Sequence, residues 1–325
     1  MIIGTPWKIT SREQALRLLK ISEKLGGKID EFLKHGFIEE TRQVLCDPRY
    51  LALKSFTEVH GIGPSTARDL YDGKNKFGRH FRTLHELREL QSDDFLDNYD
   101  FKWHEDLQLP IPRKDVESIA NFVKIQLEKT EPGAHVVICG GYRRGKTASN
   151  DVDLIITYPH EDGKERGVLK RLLERLLAKG LIPPNGILSQ NHSASSRTST
   201  SNKPAADFDS LDKAFVVFAH PPNSTTRDRV FFRRLDLIVT RWDTWGSAVL
   251  GWTGSTQFER DLRTRVMTFG STSAVRHISL AGYKFESGGV RRDNDDQVIA
   301  AVTEEDVFRI LKVPWMPPEL RNADP

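Results

Sequence analysis

Apolar side chains recur at helical spacing in the first part of the chain and predict a series of small packed helices. Residues 9–45 follow this spacing, and Gly26-Gly27 is expected to separate two helices there. The segment His60–Ala67 contains a Gly-x-Gly turn that opens a helix, and Leu84–Leu90 predicts another. Residues 97–112 are rich in aromatic side chains, carboxylates and prolines, so they predict a connection between domains.

Beyond Arg113 the pattern alternates between amphipathic helices and strands rich in β-branched residues. One helix begins at Arg113, and a leucine-striped helix covers Gly167–Ala178. The predicted strands are His135–Cys139, Asp151–Thr157, Lys213–Ala219 and Phe231–Thr240. A turn is expected at Gly140–Asn150, and the Ser- and Thr-rich residues 189–210 predict a loop.

The composition changes this picture only slightly. Of the 325 residues, 38% are hydrophobic and 29% charged, which predicts a globular chain of two to four compact units. No apolar run approaches the length of a membrane span. The two cysteines, Cys46 and Cys139, exclude a disulfide framework and indicate a reducing compartment, the cytosol or the nucleus. A net charge of +3 does not by itself indicate a nucleic-acid binder.

Two aspartates, Asp151 and Asp153, lie two residues apart in a predicted strand, and such residues share one face of the strand. Adjacent carboxylates repel each other unless a cation lies between them, and Mg²⁺ prefers oxygen ligands. Asp236 offers a third carboxylate inside a later strand, where an unpaired aspartate would be costly. The three side chains predict a two-metal site, whereas the pair alone could equally be solvated acids after an ordinary turn.

Glycines and basic residues precede the aspartate pair. Gly140 and Gly141 end a strand and let backbone N–H groups approach a phosphate closely. Arg144 and Lys146 follow, where they are expected to neutralise a triphosphate. This order of glycines, basic residues, paired aspartates and a downstream aspartate predicts metal-dependent nucleotidyl transfer.

The Gly-x-Gly turn is a candidate DNA site, because backbone N–H groups at the start of a helix bind phosphate without reading sequence. Its candidate residues are Gly61, Gly63, Ser65 and Thr66, although any tight turn between helices has the same pattern.

A second glycine motif lies nearer the end of the chain. Gly251 and Gly254 permit close backbone approach, and Trp252 offers a flat surface for a sugar or base. Arg260 and Arg263 are three residues apart on the following helix and are expected to face one way. The same spacing also fits a packed turn with a core tryptophan.

With these motifs in order, the chain resembles the family X DNA polymerases, the group that contains polymerases lambda and mu and terminal transferase. The resemblance runs from about Ile9 to the end of the chain. The motifs that carry it are His60–Ala67, Gly140–Lys146 with Asp151 and Asp153, Arg234–Val239, Gly251–Phe258 and Thr303–Phe308.

The resemblance implies an α+β fold in which helical helix-hairpin-helix units precede a nucleotidyltransferase palm and a small α+β thumb. The palm sheet is expected to be mostly antiparallel. The implied division is a partial lyase-like helical domain at 1–54, fingers with the hairpin at 55–112, the palm at 113–242 and the thumb at 243–325.

The resemblance also implies roles for single residues. Asp151, Asp153 and Asp236 would hold Mg²⁺, with Mn²⁺ as an alternative, and the 57–62 hairpin would bind a monovalent cation. Nucleotide contacts are implied for Arg113, Gly140, Gly141, Arg144, Lys146, Asn150, Gly251, Trp252, Thr253, Gly254 and Glu259. DNA contacts are implied for Gly61, Gly63, Ser65, Thr66, Arg260, Arg263 and Lys24. Gly141 stands where lambda has a serine, and Glu259 stands where it has an asparagine.

Three features bear on the mode of action. Gly251-Trp252 resembles the mu and terminal transferase motif, which implies weak discrimination between ribonucleotides and deoxyribonucleotides. Residues 189–210 stand where those relatives carry a loop near the template, which implies tolerance of poorly paired ends; a variable surface loop is the alternative. Lys28 aligns with the family's lyase lysine, which forms a Schiff base, although Lys20 and Ser22 replace the glycines of the first hairpin. An exposed structural lysine is the alternative there.

The implied function is that of a nuclear DNA polymerase that fills gaps in base excision repair, non-homologous end joining or both. Its expected partners are gapped or broken DNA, dNTPs, rNTPs as further substrates, and repair proteins, with no membrane. One alternative is a template-independent or RNA-type nucleotidyltransferase, and another is a DNA-end-binding scaffold. Three clustered acids argue against the scaffold, which would not need them.

Overall fold

The computed structural model describes residues 8–18, 21–59, 61–90, 102–161, 163–191, 211–221, 229–268, 278–279, 283–292, 294–295 and 297–323. The chain separates into two compact units, Met1–His104 and Glu105–Pro325. None of the described helices is long and apolar enough to cross a membrane.

The first unit is helical throughout the part that is described. Its helices are α1 (Arg12–Leu16), α2 (Glu23–His35), α3 (Glu39–Leu45), α4 (Pro48–Thr57), α5 (Pro64–Tyr71) and α6 (Leu84–Arg88). Polar side chains cap several of them: Ser22 accepts a hydrogen bond from the Leu25 amide at the start of α2. A small core holds α4, α5 and α6 together through Phe56, Leu70 and Leu87.

The prediction that Gly26-Gly27 separates two helices is wrong, because α2 runs through both glycines. Gly26 is buried, and a Cβ added to it would lie 2.7 Å from Cδ2 of Leu16. Its role is therefore in packing, since the missing side chain lets α1 and α2 approach. The helix ends instead at Gly36, whose positive φ of 76° is the usual C-terminal signal of a helix.

Among its described residues, the second unit contains a five-stranded sheet, a three-stranded sheet and two two-stranded sheets. The strands are β1 (Ile111–Pro112), β2 (His135–Ile138), β3 (Ala148–Ser149), β4 (Val152–Thr157), β5 (Ile187–Asn191), β6 (Asp212–His220), β7 (Phe231–Val239), β8 (Met267–Thr268), β9 (Ile278–Ser279), β10 (Tyr283–Glu286), β11 (Gly289–Arg292) and β12 (Val298–Ile299). The helices are α7 (His104–Leu107, across the boundary), α8 (Arg113–Thr130), α9 (Gly140–Arg143), α10 (Val168–Ala178), α11 (Trp245–Thr253), α12 (Thr256–Val266) and α13 (Glu304–Ile310).

The large sheet has the order β2-β4-β7-β6-β5. Its neighbouring strands are antiparallel except β4 and β7, which are parallel. The expected α+β fold with a mostly antiparallel palm sheet is confirmed.

Each face of the large sheet has its own core. Leu154 and Leu237 point toward α8 and α10, where they pack in one apolar cluster. Ile155 and Ile238 point the other way and pack with Trp245 of α11. Alternation along the strands produces both faces, since successive side chains point to opposite sides.

Three boundaries differ from the sequence expectation. The expected turn at Gly140–Asn150 contains the short helix α9 and the strand β3. Ser189–Asn191 belong to β5 instead of a loop, while residues 192–210 lie outside the described part of the chain. Gly251, Trp252 and Thr253 lie at the end of α11, so the expected glycine turn is in fact a helix end.

Candidate active site

Asp153 and Asp236 lie side by side because β4 and β7 are parallel and pair these two residues in register. Both point to the face occupied by Ile155 and Ile238, opposite the core beneath α8 and α10. Asp151 precedes β4 by one residue and joins them. One carboxylate oxygen from each aspartate lies within 4.8 Å of the other two. The strand pairing therefore brings together the three predicted metal ligands.

The three carboxylates are crowded together, and two of them are buried. Asp236 is 0% exposed and Asp153 is 8% exposed. Burial raises the pKa of Asp153 well above its usual range, and the charges of Asp151 and Asp236 raise it further. Burial likewise raises the pKa of Asp236 to about 6, although a hydrogen bond from Arg234 opposes that rise. Because the donors are all carboxylate oxygens, the set suits a hard divalent cation, whose charge would relieve this repulsion.

Arg234 is a cation that the sequence interpretation gave no role. Its Nε and Nη2 donate to the two oxygens of Asp236 at 3.0 and 2.7 Å, and Nη2 lies 3.3 Å from Asp151. The hydrogen bond with Asp236 raises the pKa of Arg234. Arg234 and Asp236 are two apart in one strand, and that spacing was the signal that could have identified the pair.

Gly140 lies directly against the carboxylate cluster. Its φ is +57°, and a Cβ built on it would lie 1.9 Å from Oδ2 of Asp153. Any side chain would thus require an unfavourable backbone and displace a carboxylate. Gly141 has more room, since its added Cβ would lie 3.3 Å from Cδ of Lys146 and from Oγ of Ser149. The two glycines are therefore not equivalent.

Arg144, a predicted phosphate ligand, is buried and already holds protein groups. Its Nε donates to Oδ1 of Asn322 at 3.0 Å, and its Nη1 donates to the carbonyl of Thr253. Nδ2 of Asn322 donates back to the carbonyl of Arg144 at 3.0 Å. Arg144 still lies close enough to Asp153 for its charge to lower the pKa of that carboxyl. The guanidinium is thus fixed in place beside the carboxylates.

The other predicted phosphate ligands on this side differ in exposure. Arg113 donates to the carbonyls of Tyr142 and Lys146 at 2.7 and 3.1 Å, and its guanidinium lies 3.8 Å from the Tyr142 ring centroid. It therefore stabilises the backbone of the predicted phosphate segment. Lys146 and Asn150 are exposed.

Residues 251–254 include two that lie beside Arg144, namely Thr253 and Gly254. The chain leaves α11 at Gly254, whose φ is +65° and which is followed by a cis peptide bond to Ser255. A Cβ on Gly254 would lie 3.1 Å from Nη1 of Arg144, and a Cβ on Gly251 would lie 2.2 Å from Oγ of Ser287. Trp252 lies with its ring centroid 6.0 Å from that of Phe215 on β6. A side chain at either position would come too close to a neighbouring residue, so both positions favour glycine.

Arg260 and Arg263, which are predicted to face one way, lie three residues apart on α12 and differ in exposure. Arg260 is exposed, but Arg263 donates to Glu259 at 2.7 Å and to the carbonyl of Phe285 at 3.4 Å. Oε1 of Glu259 lies 4.0 Å from where a Cβ of Gly254 would be. Arg263 thus ties the expected nucleotide contact Glu259 to strand β10.

A buried ionic cluster joins the glycine segment to the chain near its end. Glu304 accepts hydrogen bonds from Arg143 of α9 and from Nη1 of Arg321, the latter at 2.6 Å. Arg321 is 0% exposed, and its guanidinium lies 5.5, 5.5 and 5.1 Å from the ring centroids of Phe258, Phe308 and Trp315. Sequence reasoning missed this cluster, because Arg143 and Glu304 are 161 positions apart.

In the first unit, the predicted DNA hairpin is a turn between α4 and α5. Gly61 has a φ of +88°, and Gly63 caps α5 with Pro64 in the first helical turn. Ile62 and Ala67 are buried, which anchors the turn, while Gly61, Gly63 and Ser65 are exposed and Thr66 is partly buried. His60 lies outside the described residues. The exposed start of α5 has the backbone donors that a phosphate needs.

Lys24 and Lys28 lie on α2 in the same unit. Lys24 is exposed, and Nζ of Lys28 lies 2.5 Å from Oε2 of Glu40 on α3. Hydrogen bonding to Lys28 lowers the pKa of Glu40. The predicted lyase lysine is therefore held in an ion pair.

Two family models match the chain. The model of the DNA polymerase beta palm matches residues 110–241, and the model of the DNA polymerase beta thumb matches residues 274–322. Together they span more than half of the chain. The first match contains all three aspartates of the cluster.

Curated proteins match nearly the whole chain. The chain is 32% identical over 98% of its length to human DNA-directed DNA/RNA polymerase mu, covering 62% of that protein. It is 30% identical to human DNA nucleotidylexotransferase, over 98% of the chain and 60% of the relative. It is 27% identical to Arabidopsis thaliana DNA polymerase lambda, over 98% of the chain and 55% of the relative. The chain thus spans about three-fifths of the length of these relatives.

Proposed function

This chain belongs to family X of the DNA polymerases, and we propose that it extends a DNA primer by nucleotidyl transfer, filling short gaps during repair. The observation that carries the proposal is the cluster of Asp151, Asp153 and Asp236, which β4 and β7 hold in register beside Gly140. A cluster of buried carboxylates is costly without a cation, so a fold that keeps it has a use for one.

The proposed metal is Mg²⁺, with Mn²⁺ as a working substitute, held by the three aspartates. When bound, it would supply positive charge for the attacking and leaving oxygens of an in-line displacement. Arg234 partly neutralises Asp236 and Asp151 in its absence. We propose that this pairing keeps the carboxylates in position before the metal and nucleotide arrive.

Phosphate binding is assigned to the segment that follows β2. The backbone of Gly140 and Gly141 is proposed to bind the phosphate, because glycine permits close approach, and the fixed Arg144 supplies a positive charge near Asp153. Lys146 and Asn150 are exposed and complete the proposed set, while Arg113 acts by holding the segment's carbonyls. Gly251, Trp252, Thr253, Gly254 and Glu259 form the proposed sugar and base side.

DNA binding is assigned to the first unit and to α12. The hairpin residues Gly61, Gly63, Ser65 and Thr66 are proposed to bind backbone phosphate, helped by a monovalent cation at residues 57–62. Lys24 and Arg260 are exposed and are proposed to contact DNA as well. Arg263 keeps its proposed contact, although Glu259 shares its guanidinium.

The finer role is a nuclear polymerase of base excision repair or end joining, acting with other repair proteins on gapped or broken DNA. The relatives named above support this reading, since polymerases mu and lambda both match over nearly the whole chain. The proposed division of the chain is 1–54 (lyase-like), 55–112 (fingers), 113–242 (palm) and 243–325 (thumb). A residual 5′-deoxyribose-phosphate lyase at Lys28 is part of the proposal.

The second candidate function is template-independent addition. It is favoured by the match to DNA nucleotidylexotransferases of Homo sapiens and Xenopus laevis, at 30% and 28% identity over 98% and 99% of the chain. A DNA-end-binding scaffold without turnover is the remaining alternative.

A primer-extension assay separates these functions. The wild-type protein and Asp236→Ala would each be given a gapped duplex, a recessed duplex and a single-stranded primer, with Mg²⁺. Extension of the gapped duplex that Asp236→Ala abolishes supports the proposal. Equal extension of the single-stranded primer indicates template-independent addition, and binding without extension in both proteins indicates a scaffold.

A further inference from the structure

A basic loop joins α5 to α6 in the first unit. Residues 73–82 contain Lys74, Lys76, Arg79 and Arg82 and no acidic residue, whereas the whole chain has 48 basic and 45 acidic residues. All four cationic side chains belong to exposed residues. The loop therefore carries an excess of positive charge, whereas basic and acidic residues are nearly equal in number over the whole chain.

The basic loop is an organised structure. Nδ2 of Asn75 donates to the carbonyls of Asp69 and Arg79 at 3.3 and 2.7 Å, and its Oδ1 accepts from the Phe77 amide at 3.0 Å. Gly73 has a φ of +72°, and a Cβ on it would lie 2.8 Å from the His80 ring. The Asn75 side chain and the glycine at position 73 thus fix the path of the backbone.

Aromatic side chains anchor the loop from below. Phe81 is 0% exposed and its ring meets that of Phe77 edge-on at 6.5 Å. Arg82 lies 3.9 Å from the Tyr71 ring centroid and donates to the Tyr71 carbonyl at 2.6 Å. Lys74 and Arg79 remain at the surface of this fixed frame. The backbone that carries Lys74 and Arg79 is therefore held in place, which reduces the entropy lost when a ligand binds.

The acids that flank the loop are already engaged. Asp72 is paired with Arg49 at 2.6 and 3.0 Å, and a hydrogen bond from Arg49 holds the pKa of Asp72 below its usual value. Glu86 accepts from the Arg82 amide at 2.8 Å. Arg49 therefore offsets part of the Asp72 charge that would otherwise act on Lys74.

We propose that the basic loop is a second phosphate-binding element, which grips duplex DNA together with the Gly61–Thr66 hairpin. The inference rests on the DNA polymerase function proposed above. Helix α5 has 8 residues, so the hairpin at its start and the loop after its end are about 12 Å apart. That distance matches the major-groove width of B-DNA, about 12 Å, so the two elements can reach phosphates on opposite sides of a groove. The contact is with backbone phosphates and does not depend on base sequence.

The test compares Lys74→Ala/Arg79→Ala with the wild type in binding a fluorescein-labelled gapped duplex, by anisotropy at several KCl concentrations. Each lost phosphate contact lowers the slope of log K against log [KCl] by about 1, so the double variant should lose about 2. The loss should be the same for two duplexes of unrelated sequence. An unchanged slope overturns the proposal, and so does a loss seen with single-stranded DNA but not with duplex.

Two control variants make the outcome specific. Lys74→Arg/Arg79→Lys keeps both charges and should keep the wild-type slope. Lys124→Ala/Lys129→Ala removes two exposed charges from α8 in the other unit and should also keep it. Thermal unfolding checks that each variant is folded. Failure of the polymerase proposal is seen separately, as a wild-type protein that binds the duplex but incorporates no nucleotide.

Discussion

Gly140 and Asp153 are in such close proximity that a single added methyl group would lie 1.9 Å from a carboxylate oxygen of the aspartate. This relationship couples the predicted phosphate segment to the predicted metal site. The backbone at Gly140 is also left-handed, at φ +57°, a conformation that costs other residues about 1–2 kcal/mol.

Gly140→Ala is expected to lose primer extension by at least about 100-fold, because the displaced carboxylate weakens metal binding worth several kcal/mol. Steady-state incorporation with Mg²⁺ measures this. Gly141→Ala is the matched control, since its added Cβ meets its nearest atoms only at 3.3 Å and it has no positive φ. Equal activity of the two variants would contradict the argument.

Asp153→Asn is expected to stabilise the metal-free protein while abolishing incorporation. The substitution removes a buried charge that two neighbouring carboxylates repel. A gain of about 1 kcal/mol would raise the melting temperature by about 2–4 °C. Differential scanning calorimetry in EDTA measures this, and Mg²⁺ should then raise the melting temperature of the wild type but not of the variant. A lower melting temperature in EDTA would show that the acids do not repel one another as described.

Sugar discrimination is expected to be weak, because Gly251 lies on the proposed sugar side and has no side chain that could meet a ribose 2′-hydroxyl. Incorporation of GTP and dGTP opposite template cytosine should differ by less than about 1,000-fold, or about 4 kcal/mol. Single-nucleotide kinetics with Mg²⁺ and with Mn²⁺ provide the measurement. A preference of many thousand-fold for dGTP would count against the prediction.

Glu304→Ala is expected to destabilise the protein by about 3–5 kcal/mol, because it leaves the buried Arg321 without its carboxylate. Burial already lowers the pKa of Arg321, which shows that its charge is costly there. Urea denaturation measures the loss. Glu305→Ala is the control, since Glu305 is its exposed neighbour and should change stability by less than about 0.5 kcal/mol.

The proposed lyase activity of Lys28 is expected to be restrained by Glu40. The ion pair holds Nζ of Lys28 against Glu40, and the amine must be released from that contact to attack the sugar aldehyde and form a Schiff base. Borohydride trapping on an incised abasic site should therefore disappear in Lys28→Ala and increase in Glu40→Gln. Trapping that survives in Lys28→Ala would assign the reaction to another amine.

Much of the site followed from short-range rules. The two-residue spacing of Asp151 and Asp153 and the strand around Asp236 were enough to predict the carboxylate cluster, because alternation in strands is strict. The pairing of Arg144 with Asn322 could not be predicted, because these residues are 178 positions apart in the sequence. The cis peptide bond after Gly254 has no signal in the sequence either. The role of Gly26 was predicted wrongly for a similar reason. The side chain that leaves no room for a Cβ at this position is Leu16, which lies on another helix.

The in-register pairing of Asp153 with Asp236 also determines where the chain can change in length. A residue inserted or deleted in β4 ahead of Asp153, or in β7 ahead of Asp236, would turn every later side chain of that strand to the opposite face, and the aspartate would enter the leucine-rich core. Residues added between β5 and β6 leave that register untouched, because the hydrogen bonds that set it lie in other strands. Length variation among homologous chains should therefore concentrate between β5 and β6 and be absent from the two central strands.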